Sequence, residues 1–376
     1  MTDGVQMDRR LVRRAEIFMT RALHLARRAR ERTFPNPMVG AVLVRGGKVV
    51  GEGYHHKAGF AHAEIEALRQ AGSKAKGSDL FVTLEPCHRF GRTPPCTEAI
   101  KKAAVRRVFV GTLDPNPKES GKGLAVLRKH GLVVYQGILE SRCRALNEVY
   151  NVFIRHNRPF VTIKAAISLD GRLAPHSRNA RWISSKESRI RAHALRARSN
   201  GVLVGAGTVL QDDPSLDVRH LRGSNPAVVV LDSRLTIPVK SKIITLDRQA
   251  PVMVFCSTRA SAQKVRQLRG LGVDVFRVPS KKNMLDLGSV LAKLLEMGVF
   301  KLLVEGGSKV FGSFIESRMA DRVELFQAPV LLGSGGVPFA DWFGPDKVSE
   351  APVLNGVTRS RIGPDENIKG HLVWPS

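Results

Sequence analysis

Short apolar runs alternate with amphipathic stretches along nearly the whole chain, and they do so twice, on either side of a polar break. Residues 39–44 form an apolar run that ends at Arg45-Gly46-Gly47, and residues 48–51 read as the returning strand of a hairpin. Helical spacing follows at 63–70, 97–104 and 124–130, with strands at 79–84, 107–111 and 132–135 between. This pattern predicts an α/β/α sandwich around a mixed sheet. Residues 140–157 then read as a polar, helical connector, and the domain division is placed there, giving domains 1–148 and 149–376. Beyond it, strands at 160–166, 201–204, 227–231, 251–255, 273–278 and 302–304 alternate with helices at 186–197, 260–268 and 285–296. Apolar strands without polar alternation are buried on both faces, so the second domain is expected to be a doubly wound sheet.

Composition narrows the partners. Sixty Lys and Arg against 33 Asp and Glu give a formal charge of +27, which favours anionic partners such as phosphorylated metabolites, nucleotides, nucleic acid or acidic membrane surfaces. Four cysteines in 376 residues do not make a disulfide framework. No apolar run approaches the roughly 20 residues that span a bilayer, so a soluble, cytoplasmic, reducing setting without a membrane partner is expected. The first 33 residues are rich in arginine, which suits a transit peptide, a nucleic-acid arm or an amphipathic helix. Leu11, Ala15, Phe18, Met19, Ala22, Leu25, Ala26 and Ala29 recur at helical spacing and lead directly into Pro35-Asn36-Pro37-Met38-Val39-Gly40, which favours the first helix of a folded domain.

One constellation carries chemistry. His62-Ala63-Glu64 opens a predicted helix, Pro86-Cys87 follows a predicted strand and is expected to start a helical turn, and Cys96 comes nine positions later. One imidazole and two thiolates suit a tetrahedral zinc whose fourth corner is left for water. Glu64 is better placed to carry a proton than to be a fourth ligand. A lone His or Cys would be structural; the His-x-Glu, Pro-Cys, Cys order is that of the zinc deaminases of nucleobases.

Together with Gly91-Arg92-Thr93-Pro94-Pro95-Cys96 and Asp114-Pro115-Asn116-Pro117, these segments resemble the RibD family, bifunctional deaminase–reductases of riboflavin biosynthesis. The resemblance covers nearly the whole chain. It implies a cytidine-deaminase-like first domain with Zn2+ on His62, Cys87 and Cys96, Glu64 as proton shuttle, and Asn36, His55 and Arg92 contacting a phosphoribosyl pyrimidine. The family usually carries Ser-His directly after the first cysteine; here the pair is His88-Arg89, leaving open whether Arg89 takes a phosphate contact, a shifted His88 takes it, or neither side chain touches substrate.

In the second half, glycine-rich turns follow three predicted strands: the segments at 164–172, 204–214 and 304–308. Such turns let backbone N–H groups approach a phosphate, yet they also serve as plain tight turns, and the Gly-x-Gly-x-x-Gly fingerprint is absent. The resemblance implies a dihydrofolate-reductase-like domain in which Ala166, Trp182, Thr208, Asp212, Gly307 and Ser308 face NADPH. Ala180, Arg196, Leu216, Arg219 and Glu305 would face the reductase substrate. Asp212 and Glu305 would place or protonate its sugar. The family further implies a homo-oligomer, dimer or tetramer. A zinc-dependent nucleic-acid base deaminase with a basic surface is the alternative; it leaves the second domain unexplained.

Overall fold

The computed structural model describes residues 7–30, 32–91, 94–177, 182–219, 221, 223–281 and 284–375. Two compact units divide the chain at His156/Asn157, eight residues beyond the expected 148/149. Among the described residues no helix is long and apolar enough to cross a membrane.

The first unit contains α1 (Arg9–Arg27), β1 (Gly40–Arg45), β2 (Lys48–Tyr54), α2 (Ala63–Ala71), β3 (Asp79–Leu84), α3 (Cys96–Lys102), β4 (Arg107–Thr112), α4 (Lys122–Lys129), β5 (Val133–Gln136), α5 (Glu140–Leu146) and α6 (Glu148–His156). Its sheet runs β2-β1-β3-β4-β5, antiparallel at β1 and parallel from β3 onward. Strand β1 shows why both faces are covered. Val42 and Val44 join Ala15, Met19, Ala22 and Leu23 of α1 in one core. Ala41 and Leu43 join Ala63 and Ala67 of α2 and Ile100 of α3 in the other. The arginine-rich stretch is therefore the first helix of this unit. Asp8 caps it by accepting from Leu11 N at 2.7 Å. Arg21 pairs with Glu52 of β2 at 2.6 Å, and the Arg28 guanidinium lies over the Tyr54 ring.

Small residues let α1 approach the sheet. A Cβ at Gly40 would overlap the backbone carbonyl of Ala22. Gly40→Ala is expected to cost about 1–3 kcal/mol, the usual range for overpacking. The loss is measurable as a lower urea midpoint; an unchanged midpoint would mean that α1 is free to shift.

The second unit holds a nine-stranded sheet. Its order is Asp274–Val278, Val252–Ser257, Ala227–Leu231, Gly201–Gly205, Lys301–Val304, Phe160–Ile167, Arg322–Gln327, Asp365–Val373, Val353–Ile362. The first seven are parallel, and the last two form an antiparallel hairpin at one edge. Helices α7 (Lys186–Ala197), α8 (Ala206–Asp212), α9 (Lys242–Thr245), α10 (Ala262–Gly270), α11 (Leu287–Glu296) and α12 (Ser308–Glu316) accompany it. Leu203, Val229 and Phe255 pack with α11 and α12, whereas Val202, Val204, Val228 and Val230 pack with α10. Both faces are thus covered, as a doubly wound sheet requires.

Candidate active sites

In the first unit, three backbone devices bring the expected ligands together. His62 is the N-cap residue of α2 and Cys96 is the first residue of α3. Cys87 lies three residues past the end of β3. The helical turn expected at Pro86-Cys87 does not form. Its backbone bonds instead to the start of α3: Thr97 N donates to the Cys87 carbonyl at 3.2 Å, and Cys96 N to Cys87 Sγ at 3.3 Å. His62 Nδ1 then lies 3.1 Å from Cys96 Sγ and 3.6 Å from Cys87 Sγ. All three donor atoms fall within 4.8 Å of one another.

This donor set fits zinc. The hydrogen bond from Cys96, against the opposing effect of burial and with help from His62, pulls the Cys87 thiol down to about 4, so a thiolate is ready to ligate. Glu64 stands in the first turn of α2 and is 3% exposed. Burial pushes its carboxyl up to about 7, where a group can both take and give a proton near neutrality.

Asn36 and His55 sit beside the ligand set. The His55 ring meets that of His62 edge-on, with centroids 5.4 Å apart. Because the Ala61 carbonyl can only accept, His55 Nδ1 carries the proton and donates to it at 3.0 Å, and Nε2 accepts from Asn36 Nδ2 at 3.1 Å. Burial lowers the His55 pKa and keeps the ring neutral. Arg92 lies outside the described residues.

Glu85, not singled out from the sequence, anchors this region. Its carboxylate is buried and accepts from the backbone N–H groups of Asp114, Gly121, Gly123 and Leu124 at 2.9–3.3 Å. The 114–124 segment is thereby fixed to the strand end that carries Cys87. A Cβ at Gly123 would overlap the Pro86 carbonyl, so glycine permits that approach. Glu85 stands two residues before Cys87 in the sequence, but nothing local reveals its four distant N–H partners.

In the second unit, the expected residues gather where three neighbouring parallel strands end, the usual ligand crevice of such sheets. Ala166 is near the end of Phe160–Ile167. Thr208 lies in α8, just after Gly201–Gly205, and Asp212 closes that helix, exposed. Gly307 and Ser308 begin α12, just after Lys301–Val304. A Cβ on Gly307 would come within 3.7 Å of Thr208 Oγ1, and the buried Ser308 Oγ has no hydrogen-bond partner among the described residues. An open backbone cradle with an unpartnered hydroxyl at a helix N-terminus fits a dinucleotide phosphate. Trp182 is exposed, with the Arg189 guanidinium 4.8 Å over its ring. Ala180 lies outside the described residues.

Arg196 and Glu305 are brought together, but onto each other. Arg196 Nε and Nη2 donate to the Glu305 oxygens at 2.6 and 2.9 Å, and Lys164 Nζ lies 3.5 Å away. Burial alone would raise the Glu305 carboxyl, yet the charges of Arg196 and Lys164 and the bonds it accepts bring it down to about 2. Glu305 is therefore an ionised acceptor near neutrality rather than a proton donor. Leu216 packs into the core, and exposed Arg219 pairs with Asp217 at 3.2 Å.

Fold and site define a zinc-deaminase domain joined in one chain to a doubly wound α/β domain. Residues 12–112 match the cytidine and deoxycytidylate deaminase zinc-binding region, and residues 159–355 match the RibD C-terminal domain. The riboflavin biosynthesis protein RibD of Aquifex aeolicus is 45% identical over 85% of this chain and 88% of its own, and that of Escherichia coli is 36% identical over 95% and 99%. The structure of Acinetobacter baumannii RibD superposes with a TM-score of 0.78 at 33% identity, covering 96% of this chain and 99% of the other. A Thermotoga maritima diaminohydroxyphosphoribosylaminopyrimidine deaminase/5-amino-6-(5-phosphoribosylamino)uracil reductase gives 0.78 at 35% identity, covering 96% and 100%. The chain belongs to the RibD family.

Proposed function

We propose that this chain deaminates 2,5-diamino-6-(5-phosphoribosylamino)pyrimidin-4(3H)-one and then reduces the ribosyl group of 5-amino-6-(5-phosphoribosylamino)uracil to ribityl with NADPH. The first unit carries the first step and the second unit the second. The observation that supports it most is the convergence of His62, Cys87 and Cys96 beside buried Glu64. The three side chains hold zinc, which when bound supplies the Lewis acidity that makes water nucleophilic near neutral pH. Glu64 takes a proton from the attacking water and returns it to the departing amino nitrogen, so that ammonia leaves. Asn36 hydrogen-bonds a ring edge of the pyrimidine, and neutral His55 holds the Asn36 amide in place. Arg92 contributes a further substrate contact.

In the second domain NADPH, when bound, supplies the hydride that reaches the ribosyl C1 of a ring-opened imine. The Gly307-Ser308 helix start, with Thr208, Ala166, Trp182 and Asp212, binds the cofactor. Glu305, kept ionised by Arg196 and Lys164, accepts hydrogen bonds from sugar hydroxyls, while Arg219 offers its charge to the phosphate. The enzyme works in the cytoplasm, which free Cys87, Cys96, Cys143 and Cys256 support. It assembles as a homo-oligomer, for which the exposed edge strand Val353–Ile362 offers a pairing surface.

The test is to incubate zinc-loaded protein with the diaminopyrimidine substrate and NADPH. Ammonia release and NADPH oxidation, one of each per substrate, are expected. Neither appearing would overturn the reading, and base conversion in RNA instead would favour a nucleic-acid deaminase.

A further inference from the structure

Residues 140–157, marked in the sequence only as a polar connector, fold into α5 and α6, and the junction between these helices reaches back to the deaminase site. Asn147 closes α5 and opens α6 with its backbone. Its N–H donates to the Arg144 carbonyl at 3.2 Å, and its own carbonyl accepts from Asn151 N at 2.8 Å. The side chain is left to serve a loop 109 residues earlier in the chain. Asn147 Oδ1 accepts from Met38 N at 2.8 Å, and Asn147 Nδ2 donates to the Met38 carbonyl at 2.9 Å. Asn147 is 4% exposed, and among the described residues the two Met38 groups have no other partner. A primary amide carries donor and acceptor side by side, so one side chain pairs with this backbone as a neighbouring strand would.

Met38 stands two residues from Asn36, and the chain beyond it is fixed into β1. The Val39 carbonyl accepts from His55 N at 3.0 Å, and Gly40 N donates to Thr83 Oγ1 at 3.1 Å. Asn36 leads into β1 while His55 leads out of β2, so the 3.1 Å bond between Asn36 Nδ2 and His55 Nε2 depends on how this loop is held. The helix behind Asn147 is anchored on the same side. Tyr150 Oη donates to Asp114 Oδ1 at 3.1 Å, and the Phe153 ring meets that of Phe34 edge-on with centroids 5.0 Å apart. Residues 147, 150 and 153 are spaced to share one face of the helix. That face holds the loop at 33–40 and, through Asp114, the segment that Glu85 ties to the strand end carrying Cys87.

Resting on the deaminase reading above, we propose that Asn147 is a positioning residue of the deaminase site, which through the Met38 backbone sets the Asn36 amide where it meets the pyrimidine ring. Asn36 touches substrate, and Asn147 acts only through it. Two bonds to one backbone residue fix both its position and its tilt. Without them both Met38 groups lose their partner, and the loop that carries Asn36 settles elsewhere.

The experiment measures ammonia release by the zinc-loaded full chain over a range of diaminopyrimidine substrate concentrations. Asn36→Ala should raise KM by roughly tenfold, the scale of one hydrogen bond to substrate. Asn147→Ala should raise KM by up to the same factor, with kcat changed far less. Asn147→Ser, whose hydroxyl still pairs with one Met38 group, should fall between wild type and Asn147→Ala. In the double variant of Asn36→Ala and Asn147→Ala, KM should match that of Asn36→Ala alone, because the second change acts through a side chain already removed. Zinc content, and NADPH oxidation with the deaminated intermediate, should match the wild type. A merely structural role would lower the fraction of active protein, which reduces kcat and leaves KM untouched. That result, an unchanged KM in Asn36→Ala, loss of zinc from Asn147→Ala, or KM effects that multiply in the double variant would overturn the proposal. If Asn147→Ala does not fold, Asn147→Ser gives the same comparison, alone and combined with Asn36→Ala. Wild-type protein that releases no ammonia would instead overturn the deaminase reading beneath it.

Discussion

Glu64→Gln should abolish ammonia release while leaving one zinc bound per chain. Glutamine keeps the volume and polarity of the buried site but cannot shuttle a proton. General acid–base groups contribute on the order of 10²–10⁴ in rate, and Glu64 serves twice, at water and at the leaving amine. The loss should therefore reach at least the upper end of that range in kcat. Three readouts separate this from unfolding: zinc content, the thermal midpoint, and NADPH oxidation when the deaminated intermediate is supplied directly. All three should match the wild type. Retained ammonia release would remove Glu64 from the mechanism.

The second large effect is expected at Glu305. Glu305→Ala leaves Arg196 and Lys164 facing each other without their carboxylate. Breaking a buried ion pair by removing one partner costs about 3–5 kcal/mol, because the remaining charge is neither hydrated nor paired. At roughly 2–4 °C per kcal/mol for a unit of this size, the second unit should melt on the order of 10 °C lower. Reduction should be lost while ammonia release persists, since His62, Cys87, Cys96 and Glu64 all belong to the other unit. Differential scanning calorimetry and the two activity assays check this together. An unchanged midpoint would mean that the pair is open to water; a joint loss of both activities would mean that the units do not fold independently.

The residues that were legible in the sequence are those whose chemistry is local. His62 and Glu64 share one helix start, and Cys87 and Cys96 flank one short segment, so type and spacing alone pointed to a shared ion. The apolar strands at 201–204 and 227–231 announced themselves by lacking polar positions, and that at 160–166 by being apolar except at Thr162 and Lys164. The final hairpin did not: Thr358, Arg359, Ser360 and Arg361 lie on an edge strand exposed on both faces, and no apolar pattern marks such a strand. Arg196 and Glu305 were legible as candidates but not as a pair, being 109 residues apart. An isolated arginine in so basic a chain gives no sign of whether it faces a ligand phosphate or a carboxylate. Glu85 was missed for the same reason, since its partners lie 29 to 39 residues away.

The most direct test of the account is metal analysis of native protein combined with zinc X-ray absorption. One zinc per chain is predicted, with two sulfur ligands at about 2.3 Å and the remaining ligands nitrogen or oxygen at about 2.0–2.2 Å, and with the metal lost in Cys87→Ala. Absence of zinc, or a shell of four sulfurs, would contradict it.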